Sequence, residues 1–343
     1  MKILPFFLPM SGCPFQCIYC DQVAISGESG KPTPQQVAAQ AAAFDGGTDA
    51  ELAFYGGTFT ALPVSEQDAY LQAAGAALSE GRIGGIRIST RPDCIDEPAL
   101  TRLREQGVRT VELGIQSFDD EVLRRSGRGY TAQTAIEACR AVKDMGLRLG
   151  VQMMTGLPGD DRDKALATAR RTVALDADMA RIYPLLVLRD TPLARLWERG
   201  GYQPQTTDDA AELCAELLAV FTAAELPVIR IGLNAGADVE QALLAGPYHP
   251  AFGAIVKTAL KRRQIEYLLD GAGREQAAII GFPREDTPLV FGQDRRNMLY
   301  LGRAYPYLAL MPLPDLAPGE ISLTADEKTV KLGLKEFCER QYS

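Results

Sequence analysis

"LPMSGCPFQCIYCDQ" (residues 8–22) sets Cys13, Cys17 and Cys20 within eight residues, directly behind the apolar run "ILPFFL" (3–8). The sequence has seven cysteines, and the other four, Cys94, Cys139, Cys214 and Cys338, are scattered singly. An odd, dispersed set makes a poor disulfide framework and suits a reducing compartment. Three thiols at C-x3-C-x2-C are one ligand short of a closed zinc site, which takes four Cys or His. The only histidine, His249, is far along the chain. A [4Fe–4S] cluster takes one thiolate per iron, so three thiolates leave one iron open to bind another group. From this stretch alone, a zinc site completed from a distance and a chance grouping of cysteines stand as competing readings.

Beyond the cysteines, short apolar runs alternate with helical patterns. Strands are expected at "ILPFFL" (3–8), "ELAFY" (51–55), "GIRIS" (85–89), "TVELGI" (110–115), "RLGVQMM" (148–154) and "MARIYPLLV" (179–187). Each is nearly continuous in apolar residues, as parallel strands covered on both faces are. Helical patterns fill the gaps, among them "TAQTAIEACRAVKDMG" (131–146) and "RDKALATARRTVAL" (162–175). Repeated strand–helix units imply right-handed βαβ crossovers. Periodicity alone allows an open doubly wound sheet or a barrel. The candidate motifs, Cys13–Cys20, Gly56–Thr58, Arg91, Gln116 and Gly156–Gly159, lie at the ends of separate strands or just after them. A ring of strand-end motifs favours barrel-like closure. The fold class is therefore α/β, an incomplete (β/α)6 barrel of TIM type over residues 1–235. A C-terminal extension over 236–343, punctuated by Gly and Pro, follows it.

The cysteine signature, with Tyr19 before its last member, resembles that of the radical SAM enzyme superfamily. "FYGGTFTALP" (54–63), "ISTRPDCID" (88–96), "ELGIQSFDDEVLRRSGRGY" (112–130), "GVQMMTGLPGD" (150–160) and "RIYPLLVLRDTPLARLWERGGYQP" (181–204) resemble its Elongator-subunit-3-like branch in order. The resemblance implies a [4Fe–4S] cluster held by Cys13, Cys17 and Cys20, with S-adenosylmethionine chelated at the open iron. It implies that Gly56, Gly57 and Thr58 receive the methionine amino end, and that Ser89 stands where a glutamate commonly bonds the ribose. It further implies that Gln116, Arg128 and Gln152 contact the cofactor, Arg128 near its carboxylate, and that Tyr183 lies close by. The implied activity is reductive cleavage to a 5′-deoxyadenosyl radical, followed by hydrogen abstraction from an unidentified substrate. An external donor such as flavodoxin or ferredoxin would supply the electron. Elongator subunit 3 carries an acetyltransferase domain for which this sequence leaves too little chain, so acetyl-CoA chemistry is not expected.

Two alternatives accompany this reading. One is an oxygen-independent coproporphyrinogen III oxidase-like protein or haem chaperone; the other is a non-catalytic iron–sulfur or zinc-binding scaffold. The formal charge of −8 argues against non-specific nucleic-acid binding and leans towards a small molecule or peptide, whereas the Elongator resemblance leans towards RNA. The basic stretch "LKRRQ" (260–264) reads as a solvated helix face, and His249 as a loop histidine or a proton carrier. No apolar run reaches the ~20 residues that a membrane helix needs, and no signal peptide is evident. A cytoplasmic location is expected.

Overall fold

Six strands form where the apolar runs place them: β1 (Ile3–Leu8), β2 (Gly47–Gly56), β3 (Ile83–Thr90), β4 (Val108–Gln116), β5 (Arg148–Thr155) and β6 (Met179–Pro184). They pair side by side in chain order, every neighbour parallel. A doubly wound sheet starts in its middle and reverses at a switch point. No reversal occurs here, which is the order of an opened barrel. Helices Pro34–Ala43, Val64–Ser79, Glu97–Glu105, Ala132–Asp144 and Arg162–Ala174 make the crossovers. The computed structural model describes residues 2–27, 30–233, 236–270, 276–326 and 328–342.

The curl of the sheet can be read from one contact. Neighbouring strands are about 4.8 Å apart, so β2 and β6 would stand about 19 Å apart in a flat sheet. Yet Arg181 Nη2 on β6 donates to the Tyr55 hydroxyl on β2 at 3.0 Å. Two side chains cannot bridge 19 Å, so the strands must wrap into a half-barrel.

Helices cover the outer face. Leu52, Phe54, Ile86, Ile88, Val111, Leu113, Leu149 and Val151 are buried there in one core with Val37, Tyr70, Leu71, Leu100, Leu103, Ala135 and Val142. The inner face differs from the uniformly apolar strands expected. Alternate positions carry Glu51, Arg87, Thr110, Glu112, Arg148 and Arg181, and they bond to one another across five strands. Arg87 is 1% exposed. Its Nε donates to Glu51 Oε2 at 2.7 Å and its Nη1 to Glu112 Oε1 at 2.6 Å. Its Nη2 lies 2.6 Å from the same Glu51 oxygen, too bent for a hydrogen bond of its own. Arg181 completes the lattice, its Nε donating to Glu112 Oε2 at 2.6 Å.

The chain divides into two compact units, Met1–Gln205 with Leu233–Tyr248, and Thr206–Gly232 with His249–Ser343. The division expected after residue 235 falls at a position outside the described residues. The second unit has a mixed sheet in the order Leu308–Pro312, Ala278–Phe282, Ile321–Ala325, Lys328–Leu332, together with helices Thr207–Ala223 and Phe252–Asp270. "LKRRQ" is not a solvated face. Lys261 is 2% exposed, and its Nζ donates to Asp286 Oδ2 at 3.0 Å. Arg262 and Arg263 both pair with Glu212, and Gln264 donates to the carbonyls of Gly319 and Leu332. His249 accepts from the Ala251 amide at 3.0 Å through Nδ1, a local turn bond in the segment before helix Phe252–Asp270. No described helix is long and apolar enough to cross a membrane.

Removing one member of a buried ion lattice strands the others, at a typical cost of ~3–5 kcal/mol. Arg87→Met should therefore lower the unfolding free energy by that order in urea titrations. Adding Glu51→Gln to that background should recover part of the loss, because one orphaned charge goes with it.

Candidate functional site

The cysteine loop leaves β1 at Leu8 and is fastened to the end of β2 chiefly through backbone hydrogen bonds. Gly57 N donates to Leu8 O at 2.9 Å, and Thr58 N to Ser11 O at 2.8 Å. A Cβ on Gly57 would lie 2.0 Å from Ser11 O, and one on Gly12 2.3 Å from Thr58 O, so only glycine permits this approach. Thr58, 1% exposed, brings its hydroxyl within 3.3 Å of Cys13 Sγ. On the far side, Ile18 N donates to Ser126 O at 3.2 Å, which ties the loop to the segment after β4. Cys17 and Tyr19 are buried with Val122, Leu157 and Leu193.

Burial, reinforced by the nearby Cys17 and Cys13 sulfurs, pushes the Cys20 thiol up to about 12. It keeps its proton at neutral pH unless a metal's charge displaces it. Among the described residues, no three Cys, His, Asp or Glu side chains converge tightly enough to seat one metal ion. Three thiols without a fourth protein ligand are the donor set of a cluster that leaves one iron open.

Beside them, Arg128 is 5% exposed. Its Nη1 donates to Cys17 Sγ at 3.0 Å, its Nε to the Tyr130 hydroxyl at 2.9 Å, and its Nη2 to Gly114 O. Tyr19 lies 3.5 Å from Nη1, and burial holds its phenol well above the ordinary range. Arg124 and Arg125, by contrast, are exposed and paired with Glu121.

Gln116 closes β4 after a bulge and holds φ = 69°, a left-handed conformation that costs a residue with a Cβ. The residue is buried, and its Oε1 has no partner among the described residues. A buried acceptor without a protein donor is expensive, so water or a bound group must supply one. Ser89 and Gln152 are half-buried on β3 and β5. Tyr183 on β6 is also half-buried, its hydroxyl 3.4 Å from Arg181 Nη1. Gly56 has φ = 101° and adjoins the Leu8 backbone. The structure thus brings Cys13, Cys17, Cys20, Tyr19, Thr58 and Arg128 into direct or near contact. It distributes Gly56, Gly57, Ser89, Gln116, Gln152 and Tyr183 over β2 to β6.

A parallel half-barrel that carries its thiols in the loop after the first strand, with a glycine cradle at the next, belongs to the iron–sulfur barrel enzymes. Residues 7–172 match the radical SAM superfamily model and residues 177–262 match the Radical_SAM C-terminal domain; the chain belongs to the radical SAM superfamily and is an enzyme of it. The superfamily's cofactors are a [4Fe–4S] cluster and S-adenosylmethionine.

Among curated relatives, the tRNA uridine(34) acetyltransferase of Methanocaldococcus jannaschii is 31% identical over 183 residues, 48% of this chain and 34% of the relative. Elongator complex protein 3 of Mus musculus is 32% identical over 190 residues, 50% of this chain and 35% of the relative. The matched region therefore spans about a third of these relatives' length. The solved structure of the archaeal Methanocaldococcus infernus Elp3 with an N-terminal deletion (1–46) superposes with a TM-score of 0.59 at 21% identity. It covers 79% of this chain and 63% of that one, a shared fold.

The sequence reading assigned no cofactor contact to Arg91, Tyr130 or Asp160. Arg91 Nη1 is 3.9 Å from Cys17 Sγ, and its two-point pairing with Asp93 is signalled by the R-P-D spacing. Asp160 Oδ2 accepts from the Gly156 amide at 2.9 Å, and Tyr202 donates to Gly156 O at 2.7 Å. Both bonds hold the turn after β5, whose Leu157 packs against Cys17 and Tyr19.

Burial pushes the Asp160 carboxyl up to about 7. The folded chain then binds this proton while the unfolded chain has already released it, so stability is full below about 4 and falls as pH rises to about 7. Asp160→Asn keeps an acceptor for Gly156 but has no proton to lose. In chemical denaturation the variant should gain on the wild type from pH 5 to pH 7, and the difference should then stay constant.

Proposed function

We propose that this chain cleaves S-adenosylmethionine reductively and abstracts a hydrogen atom from a substrate. The observation that carries the reading is a three-thiol loop fastened by its own backbone beside a glycine cradle, with an unpartnered buried Gln116 Oε1 on β4. When bound, the reduced cluster would supply one electron to the sulfonium of the cofactor, whose 5′ carbon–sulfur bond would break to give methionine and a 5′-deoxyadenosyl radical. Cys13, Cys17 and Cys20 would hold three irons. Gly56, Gly57 and Thr58 would receive the amino end of the cofactor, where absent Cβ atoms leave backbone groups accessible. Gln116, Ser89, Gln152 and Tyr183 would orient the remainder, and Arg128 would place positive charge at the carboxylate end. The inner ion lattice fixes the β2–β6 curvature on which these positions depend.

The electron would come from an external one-electron donor of flavodoxin or ferredoxin type. The Methanocaldococcus jannaschii relative is named for a tRNA uridine. A uridine-containing RNA is therefore the first substrate class to test.

Anaerobically reconstituted protein should hold about four iron and four sulfide per chain. With dithionite and S-adenosylmethionine it should release 5′-deoxyadenosine slowly even without substrate, measured by chromatography. Cys13→Ala, Cys17→Ala or Cys20→Ala should abolish cluster and product, whereas Cys94→Ala, Cys139→Ala and Cys214→Ala should leave both. Stoichiometric zinc in place of iron would refute the reading.

A further inference from the structure

The three thiols do not have equivalent surroundings. Two guanidiniums reach Cys17: Arg128 Nη1 at 3.0 Å and Arg91 Nη1 at 3.9 Å from Sγ. Both arginines are about as buried as Cys17 itself, at 5%, 4% and 6% exposure. Their charges are balanced differently. Arg91 is paired with Asp93 through two bonds of 2.9 Å. No carboxylate among the described residues pairs with Arg128, whose partners are a thiol, two phenols and a carbonyl.

The arrangement is also stiff. The Arg91 guanidinium lies between the rings of Phe15 and Tyr130, at 5.1 and 5.2 Å from their centroids. Arg128 lies 5.1 Å from the same Tyr130 ring. Arg91 Nη2 donates to the backbone carbonyl of Arg128, so one arginine holds the other in place. Stacking on a ring orients a guanidinium without neutralising it. A buried cation without a counter-charge is costly, so its retention at one sulfur calls for an anionic group there.

We propose that Arg128, held by Arg91, is a positioning residue that raises the reduction potential of the cluster through Cys17; this rests on the reading of the three cysteines as cluster ligands. In the step concerned, one electron leaves an external donor, which is oxidised, and enters the cluster, which is reduced. No bond breaks and no proton accompanies it. The added negative charge spreads over the irons and their thiolates. A fixed cation at one thiolate stabilises the reduced form more than the oxidised form. Hydrogen bonds to sulfur and local charge are among the factors that set cluster potentials.

The test is a dye-mediated redox titration of anaerobically reconstituted protein, read by the electron paramagnetic resonance of the reduced cluster, with iron and sulfide assayed on each sample. At a fixed solution potential, Arg128→Gln should lower the ratio of reduced to oxidised cluster tenfold or more, equivalent to 59 mV for a one-electron couple. Arg91→Gln should lower it less, because its guanidinium stands 3.9 Å from Cys17 Sγ against 3.0 Å for Arg128, and Arg128→Lys should keep most of the wild-type ratio. An Arg128→Gln protein with full iron content and a wild-type potential would overturn the inference while leaving the cluster reading intact. Wild-type protein that assembles no four-iron cluster would instead refute that reading. If Arg128→Gln fails to retain iron, Arg91→Gln decides: a lowered potential supports the inference and an unchanged one overturns it. Each titration is repeated with S-adenosylmethionine. A shift seen only in its presence would mean that the guanidinium acts solely through the cofactor carboxylate and not through Cys17, which overturns the proposal.

Discussion

The buried ion lattice of the inner face, centred on Arg87 with a carboxylate on either side, is the constraint on which the barrel depends. Glu51, Arg87 and Glu112 lie on three successive strands, and Arg181 on β6 continues the chain of contacts. Each ion loses its water on folding, and only close partners offset that loss. The contacts that skip strands, Arg148 on β5 with Glu51 on β2 and Arg181 on β6 with Tyr55 on β2, form only when the sheet is curled. The same chemistry that makes the interior charges expensive therefore penalises any flatter arrangement of the strands. The apolar outer face favours many packings of helix on sheet, whereas the inner lattice is satisfied by very few. Residues at the upper ends of β2 to β6 inherit their spacing from it.

The cysteine loop uses a different kind of constraint. Its position is set by main-chain contacts that no side-chain change can reproduce, with Gly12 and Gly57 removing the atoms that would block them. Arg128 and Arg91 then close over Cys17 from the segments after β4 and β3. Three crossover loops, distant in sequence, thus converge on one sulfur.

Much of this was legible from the sequence. The six apolar runs predicted the strands to within a few residues, because buried parallel strands leave long hydrophobic signatures. The strand-end motifs predicted the closure, because only a barrel-like order gathers so many strand ends around one site. The inner lattice was missed for a physical reason: Glu51, Arg87 and Glu112 are single polar residues within apolar runs. A one-dimensional reading cannot tell a charge that faces water from one that faces another charge up to three strands away. Period-two alternation, as in E-L-A-F-Y and R-I-S, was the available signal. "LKRRQ" failed likewise, since the partners of Lys261 and Arg263 lie 25 and 51 residues away. The Arg128 segment was identified from its motif, but its contact with Cys17 depends on how two loops fold back and has no local signature.

The fastening of the cysteine loop also bears on cofactor assembly. In a small zinc module the metal must order the chain that binds it, so part of the binding energy is consumed in folding. Here Leu8, Ser11 and Ser126 already fix the backbone that flanks the three thiols. Little conformational entropy then has to be lost when a cluster is delivered, and rotation of three short side chains suffices. A loop fixed in this way would receive a cluster as a preformed socket, without the folding step that a small zinc module requires.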